Sequence, residues 1–160
     1  MITIEEIKSA YSRIKSFIVE TKIYSSEKLN NDYAANIFLK NEVEQLTGSF
    51  KIRGALSALS ALKEEGVEGV VAFSSGNHAQ GVSKAAQIFD MKSIIVMPKD
   101  APSNKIKKTK SNGAEVILYT RHIESREKIA EKISDERGYP LVKPFDNENI
   151  IAGQGTFGLE

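Results

Sequence analysis

Two short segments of the sequence combine side chains that can bind a carbonyl compound and an anion. The first, Thr47–Lys51, places a lysine in an uncharged, glycine-containing stretch where a strand pattern gives way to a helix. The second, Ser74–His78, reads Ser-Ser-Gly-Asn-His and opens another helix. A lysine amine condenses with a carbonyl cofactor, and free N–H groups at a helix start hold an anion beside it. The pair predicts covalent chemistry on such a cofactor, with pyridoxal phosphate as the leading candidate.

Lys51 is the candidate nucleophile. A lysine reacts as a neutral amine, which partial burial and a nearby cation promote. Phe50 can supply an apolar wall for the amine, and Arg53 can supply the positive charge. The alternative is an ordinary lysine that points into solvent, although the helix dipole disfavours a cation at a helix start.

Ser74–His78 is the candidate anion-binding loop. Gly76 allows a tight turn, and the N–H groups of the following helix can bind a carboxylate. The two serines and Asn77 can add side-chain hydrogen bonds. The alternative is a helix cap, because serine and asparagine are favoured caps in any protein. His78 also has two interpretations, since a lone histidine beside a cap is more often structural than catalytic.

Composition narrows the remaining function classes. Lysine and arginine number 22 against 21 acidic residues. The net charge of +1 therefore gives no strong positive field that would attract nucleic acid. The lysine-rich stretch 105–110 is interpreted as a solvated helix face. The chain has no cysteine, which excludes disulfides, thiolate nucleophiles and cysteine-ligated metals, and two histidines give little basis for another metal site. No signal peptide or membrane-length apolar run is found, so a cytoplasmic protein without membrane contact is expected.

The hydrophobic patterns predict a parallel α/β fold. Strands read as near-continuous apolar runs and alternate with amphipathic helices, as in a sheet covered on both faces. The prediction is a three-layer α/β/α arrangement with a central parallel four-stranded sheet, in which ligands bind beyond the carboxyl ends of the strands. The predicted helices are 3–18, 51–65, 77–89, 103–111 and 123–137, with another starting near 149; the strands are 36–40, 69–74, 92–97, 115–119 and 141–144. Thr3 and Glu6 fit a capping box at the start of the first helix. Residues 21–33 are expected to be irregular, with a short turn around Leu29, and Gly153–Thr156 is expected to be a close-approach turn before a helix.

Taken together, the motifs resemble the fold-type II pyridoxal-phosphate enzymes, most closely the threonine and serine dehydratases and the serine racemases. The order and spacing of the matching segments agree along nearly the whole chain. These segments are Lys40–Glu42, Gly48–Ala55, Ser74–Gly81, Met97-Pro98 and Pro144–Thr156.

The resemblance implies a role for each matched residue. Lys51 would form the Schiff base with pyridoxal phosphate and later remove the Cα proton, Phe50 would pack near the cofactor ring, and Asn77 would hydrogen-bond the ring hydroxyl. The substrate carboxylate would be surrounded by Ser74, Ser75, Gly76 and His78, and Ser75 matches the second acid/base of racemases. The implied reaction removes the β-hydroxyl of threonine or serine and then releases ammonia, giving a 2-oxo acid. A serine racemase-like enzyme and a non-catalytic α/β binding module are the alternatives.

The resemblance also implies a domain division. Residues 57–147 would form the small α/β domain, and residues 1–56 and 148–160 would be parts of an incomplete large cofactor-binding domain. Members of the family are about twice as long, and their second half carries the glycine-rich loop for the cofactor phosphate. The chain is therefore expected to be an N-terminal portion that is inactive alone. Its expected partners are a second copy in a homo-oligomer or a complementing C-terminal half.

Overall fold

From residue 51 onward the chain alternates helices and strands, as the sequence pattern predicts. The structure is a computed structural model that describes residues 1–160. The helices are α1 (Ile4–Ile14), α2 (Glu27–Tyr33), α3 (Lys51–Glu64), α4 (Asn77–Ile88), α5 (Ser103–Ser111), α6 (Arg126–Arg137) and α7 (Glu148–Gly155). The strands are β1 (Ile23–Ser25), β2 (Phe38–Lys40), β3 (Gly69–Phe73), β4 (Lys92–Pro98) and β5 (Glu115–Tyr119). Short 3₁₀ turns lie at Glu42–Glu44 and Thr156–Leu159.

The central sheet is parallel and has the order β3-β4-β5. Because side chains alternate along a strand, β3 and β4 each contribute to two hydrophobic clusters. Val70 and Ile95 join the larger cluster with α3 and α4, whereas Val71 and Ile94 join a smaller cluster with α6. Helices thus cover both faces of the sheet, and the predicted α/β class with a parallel sheet is confirmed.

The sheet has three strands where four were predicted, because the fourth is reduced to a single bridge. Leu141 pairs in parallel with Val71, held by two backbone hydrogen bonds of 3.0 and 2.8 Å. The next rung of the ladder would need an N–H from Pro144, which proline lacks. The carbonyl of Val142 is instead in contact with the ring of His78, 3.0 Å away. The segment therefore leaves the sheet after one bridge and offers its carbonyls to side chains.

The first 50 residues differ most from expectation. The predicted strand at 36–40 begins only at Phe38, and it pairs antiparallel with β1 in a stretch predicted to be irregular. Helix α2 was expected as no more than a short turn, and Ser26 caps it by accepting from the N–H of Leu29. In α1 the predicted capping box between Thr3 and Glu6 is present. Strands of three residues are too short to show an alternation, which explains why β1 was not predicted.

Helix α3 packs closely against α4 on one side and α7 on the other, which fixes its position. A Cβ atom on Gly81 of α4 would lie 3.1 Å from the carbonyl oxygen of Lys51, and one on Gly153 of α7 would lie 2.6 Å from that of Arg53. Residues 52–60 of α3 are all buried. The start of α3 is therefore held rigidly between its two neighbours.

None of the helices is both long and apolar enough to cross a membrane. The boundaries at residues 57 and 147, and the oligomeric state, stay predictions.

Candidate active site

The amine of Lys51 lies in a half-buried position at the first residue of α3. Its Nζ donates hydrogen bonds to the carbonyl of Pro144 at 3.1 Å and to Oε1 of Gln154 at 3.2 Å. The predicted apolar wall is present, because Nζ lies 5.1 Å from the centroid of the Phe50 ring. Burial lowers the pKa of Lys51 below its usual value, which increases the neutral fraction of the amine.

Arg53 does not supply the free positive charge that was expected beside Lys51. Its guanidinium is fully buried and bonded to Glu42 at 2.8 Å and to Glu160 at 2.7 Å. Burial alone would lower the pKa of Arg53, but its hydrogen bonds to the two carboxylates outweigh burial and raise that pKa. The charge of Arg53 is thus matched by its own partners, and the lowered pKa of Lys51 comes from burial.

The loop between β3 and α4 leaves the N-terminus of α4 without a side-chain cap. Gly76 is the N-cap residue, and no side chain caps the helix. The hydroxyl of Ser74 forms a hydrogen bond within the loop, because its Oγ accepts from the N–H of Gly76 at 3.1 Å. The hydroxyl of Ser75 is half-buried and makes no hydrogen bond within the protein. Free N–H groups in the first helical turn can therefore bind an anion.

The side chain of Asn77 is exposed and contacts a lysine of α5. Its Oδ1 accepts from Nζ of Lys105 at 2.6 Å. Since an ammonium group only donates, this contact fixes the amide oxygen towards Lys105 and leaves the amide N–H groups free to donate elsewhere. Lys105 was interpreted as part of a solvated helix face, and the structure shows that it reaches the loop.

His78 is buried beside the Lys51 amine, and its ring is neutral at pH 7. Burial lowers the pKa of His78 to about 4, the nearby charge of Lys51 adds to this, and the hydrogen bond to Val142 opposes it. A carbonyl only accepts, so Nε2 carries the proton that points to Val142. Nδ1 is then an acceptor without a partner. Such a ring cannot donate to a carboxylate through Nδ1, although the backbone N–H of His78 can.

One extended segment brings Lys51 and His78 together. The carbonyls of Val142 and Pro144 are two residues apart, and alternate positions of an extended chain face the same way. Val142 contacts His78 and Pro144 contacts Lys51. The starts of α3 and α4 therefore meet at the carboxyl end of β3, where a parallel sheet binds its ligands.

Sequence reasoning missed two side chains at the site, Gln154 and Lys105. The stretch Gly153–Thr156 was considered a close-approach turn, but most of it is the last turn of α7, which packs on α3. Its glycines are the signal that was available, because small residues let two helices approach closely. No comparable signal marked Lys105, because the stretch 105–110 contains three further lysines.

The side chains present fit pyridoxal phosphate. Lys51 offers an amine whose neutral form is favoured, Phe50 offers an apolar surface beside it, and Asn77 offers a donor for a ring hydroxyl oxygen. The uncapped start of α4 can take an amino-acid carboxylate. Groups of three or more histidine, cysteine, aspartate or glutamate side chains that could hold a metal are not found.

Comparison with known proteins agrees with this fit. The chain is 43% identical to the serine racemase of Schizosaccharomyces pombe over 99% of its own length and 49% of that protein. It is 47% identical to the L-threonine ammonia-lyase of Thermotoga maritima over 100% of its length and 40% of that protein. The crystal structure of serine racemase from Dictyostelium discoideum superposes with a TM-score of 0.91 at 38% identity, covering 99% of this chain and 52% of that one. The chain thus spans about half the length of these relatives.

Residues 14–160 also match the family described as "Pyridoxal-phosphate dependent enzyme". Because this match covers most of the chain and ends beyond both predicted motifs, the protein belongs to the pyridoxal-phosphate dependent enzyme family.

Proposed function

We propose that the protein carrying this chain is a pyridoxal-phosphate dependent lyase that acts on threonine or serine. It eliminates the β-hydroxyl as water, consumes one water molecule in the following hydrolysis, and gives ammonia and a 2-oxo acid. The observation that carries the proposal is the half-buried Lys51 amine, with its lowered pKa, beside the uncapped start of α4. Similar proteins named L-threonine ammonia-lyase and L-threo-3-hydroxyaspartate ammonia-lyase support this choice of reaction.

The loop and α4 bind and orient the substrate in this proposal. The N–H groups at the start of α4 bind the carboxylate, together with Gly76 and the hydroxyls of Ser74 and Ser75. Asn77 donates an amide N–H to the ring hydroxyl oxygen of the cofactor, because Lys105 already occupies its Oδ1. Phe50 excludes water from one side of the reacting amine.

Lys51 acts as the base that removes the Cα proton of the substrate. When bound, pyridoxal phosphate would supply the electron sink that makes the Cα proton of the amino acid acidic. The amino group of the substrate would first displace the Lys51 amine from the cofactor, which leaves that amine free to act as a base. In its neutral form Lys51 takes that proton, the Cβ–O bond breaks, and the hydroxyl leaves as water after it gains a proton. Hydrolysis of the remaining C–N bond consumes a water molecule and releases ammonia. Burial lowers the pKa of Lys51, which increases the neutral fraction of the amine available for this step.

A serine racemase-like activity is the second candidate, and Ser75 is the observation that favours it. Its hydroxyl is half-buried and makes no hydrogen bond to the protein, so it is free to exchange a proton with a ligand. Serine racemases are among the similar proteins at 43% identity. Interconversion of L- and D-serine that is lost in Ser75→Ala would favour the racemase over the lyase.

Borohydride reduction tests the shared part of the two proposals. The chain is mixed with pyridoxal phosphate, reduced and digested, and the modified peptide is mapped. Label on Lys51, and its loss in Lys51→Arg, is the expected result. Label spread over the lysines of α5 would overturn the assignment of Lys51.

Product analysis tests the reaction itself. Threonine and serine are incubated with the protein that carries this sequence, and 2-oxo acid and ammonia are measured in equal amounts if the lyase proposal is right. A labelled Lys51 with no product from either amino acid would point to the binding module instead. The prediction that these 160 residues alone have negligible turnover, and the expected partner (a second copy or a C-terminal half), are open to the same assay.

A further inference from the structure

We propose that Gln154 is a positioning residue for Lys51, holding its amine so that the reactive position faces the cleft. The inference rests on the proposed role of Lys51, and it gives a role to Gln154, which has none in the proposed function. Its basis is the pair of hydrogen bonds from Lys51 Nζ to Pro144 and Gln154, at 3.1 and 3.2 Å.

The geometry of an amine explains why two acceptors suffice. Nitrogen in a lysine side chain has three positions besides its bond to Cε, and each holds either a hydrogen or a lone pair. The carbonyl of Pro144 and Oε1 of Gln154 each take one N–H. The third position is left for the proton that departs and for the lone pair that then attacks. Holding a nucleophile in this way reduces the entropy lost on reaction.

Glycines on two helices make the contact possible. Gly54 lies one turn after Lys51 on α3, so a side chain there would point along the same face. A Cβ atom on Gly54 would lie 3.0 Å from both Cγ and Nε2 of Gln154, and one on Gly153 would lie 2.6 Å from the carbonyl oxygen of Arg53. The absence of a side chain at Gly54 therefore leaves room for the Gln154 side chain to reach Lys51. The absence of a side chain at Gly153 lets α7 approach α3 closely enough for this contact.

The chemistry of the acceptors suits a lysine that must lose its proton. Hydrogen bonds to neutral oxygens orient the ammonium group and stabilise its charged form only moderately. A carboxylate in the same place would stabilise the charged form strongly. The charged groups on neighbouring elements do not contact the amine: Glu42 and Glu160 are paired with Arg53, and His78 is neutral. A glutamine thus orients Lys51 without fixing it as a cation.

Two substitutions of similar size separate this role from simple packing. Gln154→Met removes the acceptor and keeps the length, so the ammonium form loses a partner and the pKa of Lys51 falls. Gln154→Glu keeps the length and adds a negative charge, so that pKa rises. The pKa is read from the pH dependence of the Lys51 Cε resonance in ¹³C-lysine-labelled protein, without cofactor, with the resonance assigned by Lys51→Arg.

Gln87→Met is the matched control. Gln87 also accepts from a lysine, Nζ of Lys84 at 2.8 Å, but this pair is exposed and Gln87 lies in the last turn of α4, at the opposite end from the loop that begins the helix. The control should leave the Lys51 titration unchanged. Opposite shifts in the two Gln154 variants support the proposal. Shifts of the same sign, or none in folded Gln154→Glu, overturn it; the second variant keeps the test valid if Gln154→Met does not fold.

The rate of adduct formation with pyridoxal phosphate gives a second readout. At a pH above the Lys51 titration of each variant, Gln154→Met should form the borohydride-reducible adduct about fivefold more slowly, the effect of one lost hydrogen bond. An unchanged rate would overturn the positioning role. If the unsubstituted chain forms no adduct, the proposed function fails, while the opposite pKa shifts still decide whether Gln154 controls the amine.

Discussion

Substituting Gly153 by alanine tests whether the contact between α3 and α7 is as tight as the structure has it. The added Cβ would lie 2.5 Å from Cβ of Ser57, 2.6 Å from the carbonyl oxygen of Arg53 and 2.8 Å from Cα of Gly54. Two of these atoms are backbone atoms and the third is a Cβ atom, which is fixed to the backbone. None of them can move away by rotation of a side chain. The helices must separate instead.

The required movement and its cost can be worked out from these distances. Ordinary contact begins at about 3.4 Å, so the carbonyl of Arg53 at 2.6 Å must retreat by about 0.8 Å. Overpacking of this kind costs about 1–3 kcal/mol. Alanine recovers up to about 1 kcal/mol, because it favours a helix interior more than glycine does. Because three atoms lie closer than 3.0 Å to the added Cβ, the overpacking cost falls in the upper part of that range, about 2–3 kcal/mol. The net expectation for Gly153→Ala is therefore a loss of about 1–2 kcal/mol in the free energy of unfolding.

Urea denaturation, followed by circular dichroism, measures this loss. Gly158→Ala is the control, since a Cβ atom there meets nothing within 4 Å. The control should unfold near the midpoint of the original protein. A Gly153→Ala variant that is as stable as the original, with a similar dependence on urea, would show that α7 does not pack on α3 at this distance.

Three further predictions concern charged and titratable groups. Arg53→Met leaves Glu160, whose side chain is 1% exposed, without its main partner, and should lower the free energy of unfolding by about 3 kcal/mol. Urea denaturation checks this, and a loss below about 1 kcal/mol would contradict the buried pair. The pKa of His78 is lowered to about 4, so the unfolded chain binds more protons between that pH and the ordinary histidine value near 6.5. Stability should therefore fall as the pH drops through this window, and His78→Gln should remove that part of the slope; an unchanged slope would refute it. Lys105→Met frees the amide of Asn77 and should weaken cofactor binding severalfold by absorbance titration, unlike Lys108→Met on the same helix; equal effects would indicate a general loss of charge.

The sequence predicted best where one physical rule acted alone. The stretch from β3 to α6 has apolar strands that alternate regularly with helices, and its predicted bounds agree with the structure to within about three residues. Lys51 and the Ser74–His78 loop were found for a similar reason. Each combines an unusual side chain with a strand-to-helix turn, and the parallel topology then places both turns at one edge of the sheet.

Predictions failed where a tertiary contact decided the outcome. Leu141–Pro144 has the composition of a strand, yet Pro144 cannot supply the next rung, and the Val142 and Pro144 carbonyls contact His78 and Lys51. Arg53 was expected to act on Lys51 because they are two residues apart, but positions i and i+2 of a helix do not face each other. Its partners, Glu42 and Glu160, are distant in sequence and leave no local pattern.

The failed strand and the missed glutamine have a common physical origin. A fourth strand running on through Pro144 would use the carbonyl of Val142 in its ladder, and His78 and Lys51 would lose the oxygens that orient them. Proline ends the ladder at that point and leaves its own carbonyl available. Helix α7 begins four residues later and brings Gln154 back to the same amine. The segment after Leu141 is therefore irregular at the point where its carbonyl oxygen accepts from the Lys51 amine. The glycines of α3 and α7 allow the two helices to pack closely, which brings Gln154 to the same amine.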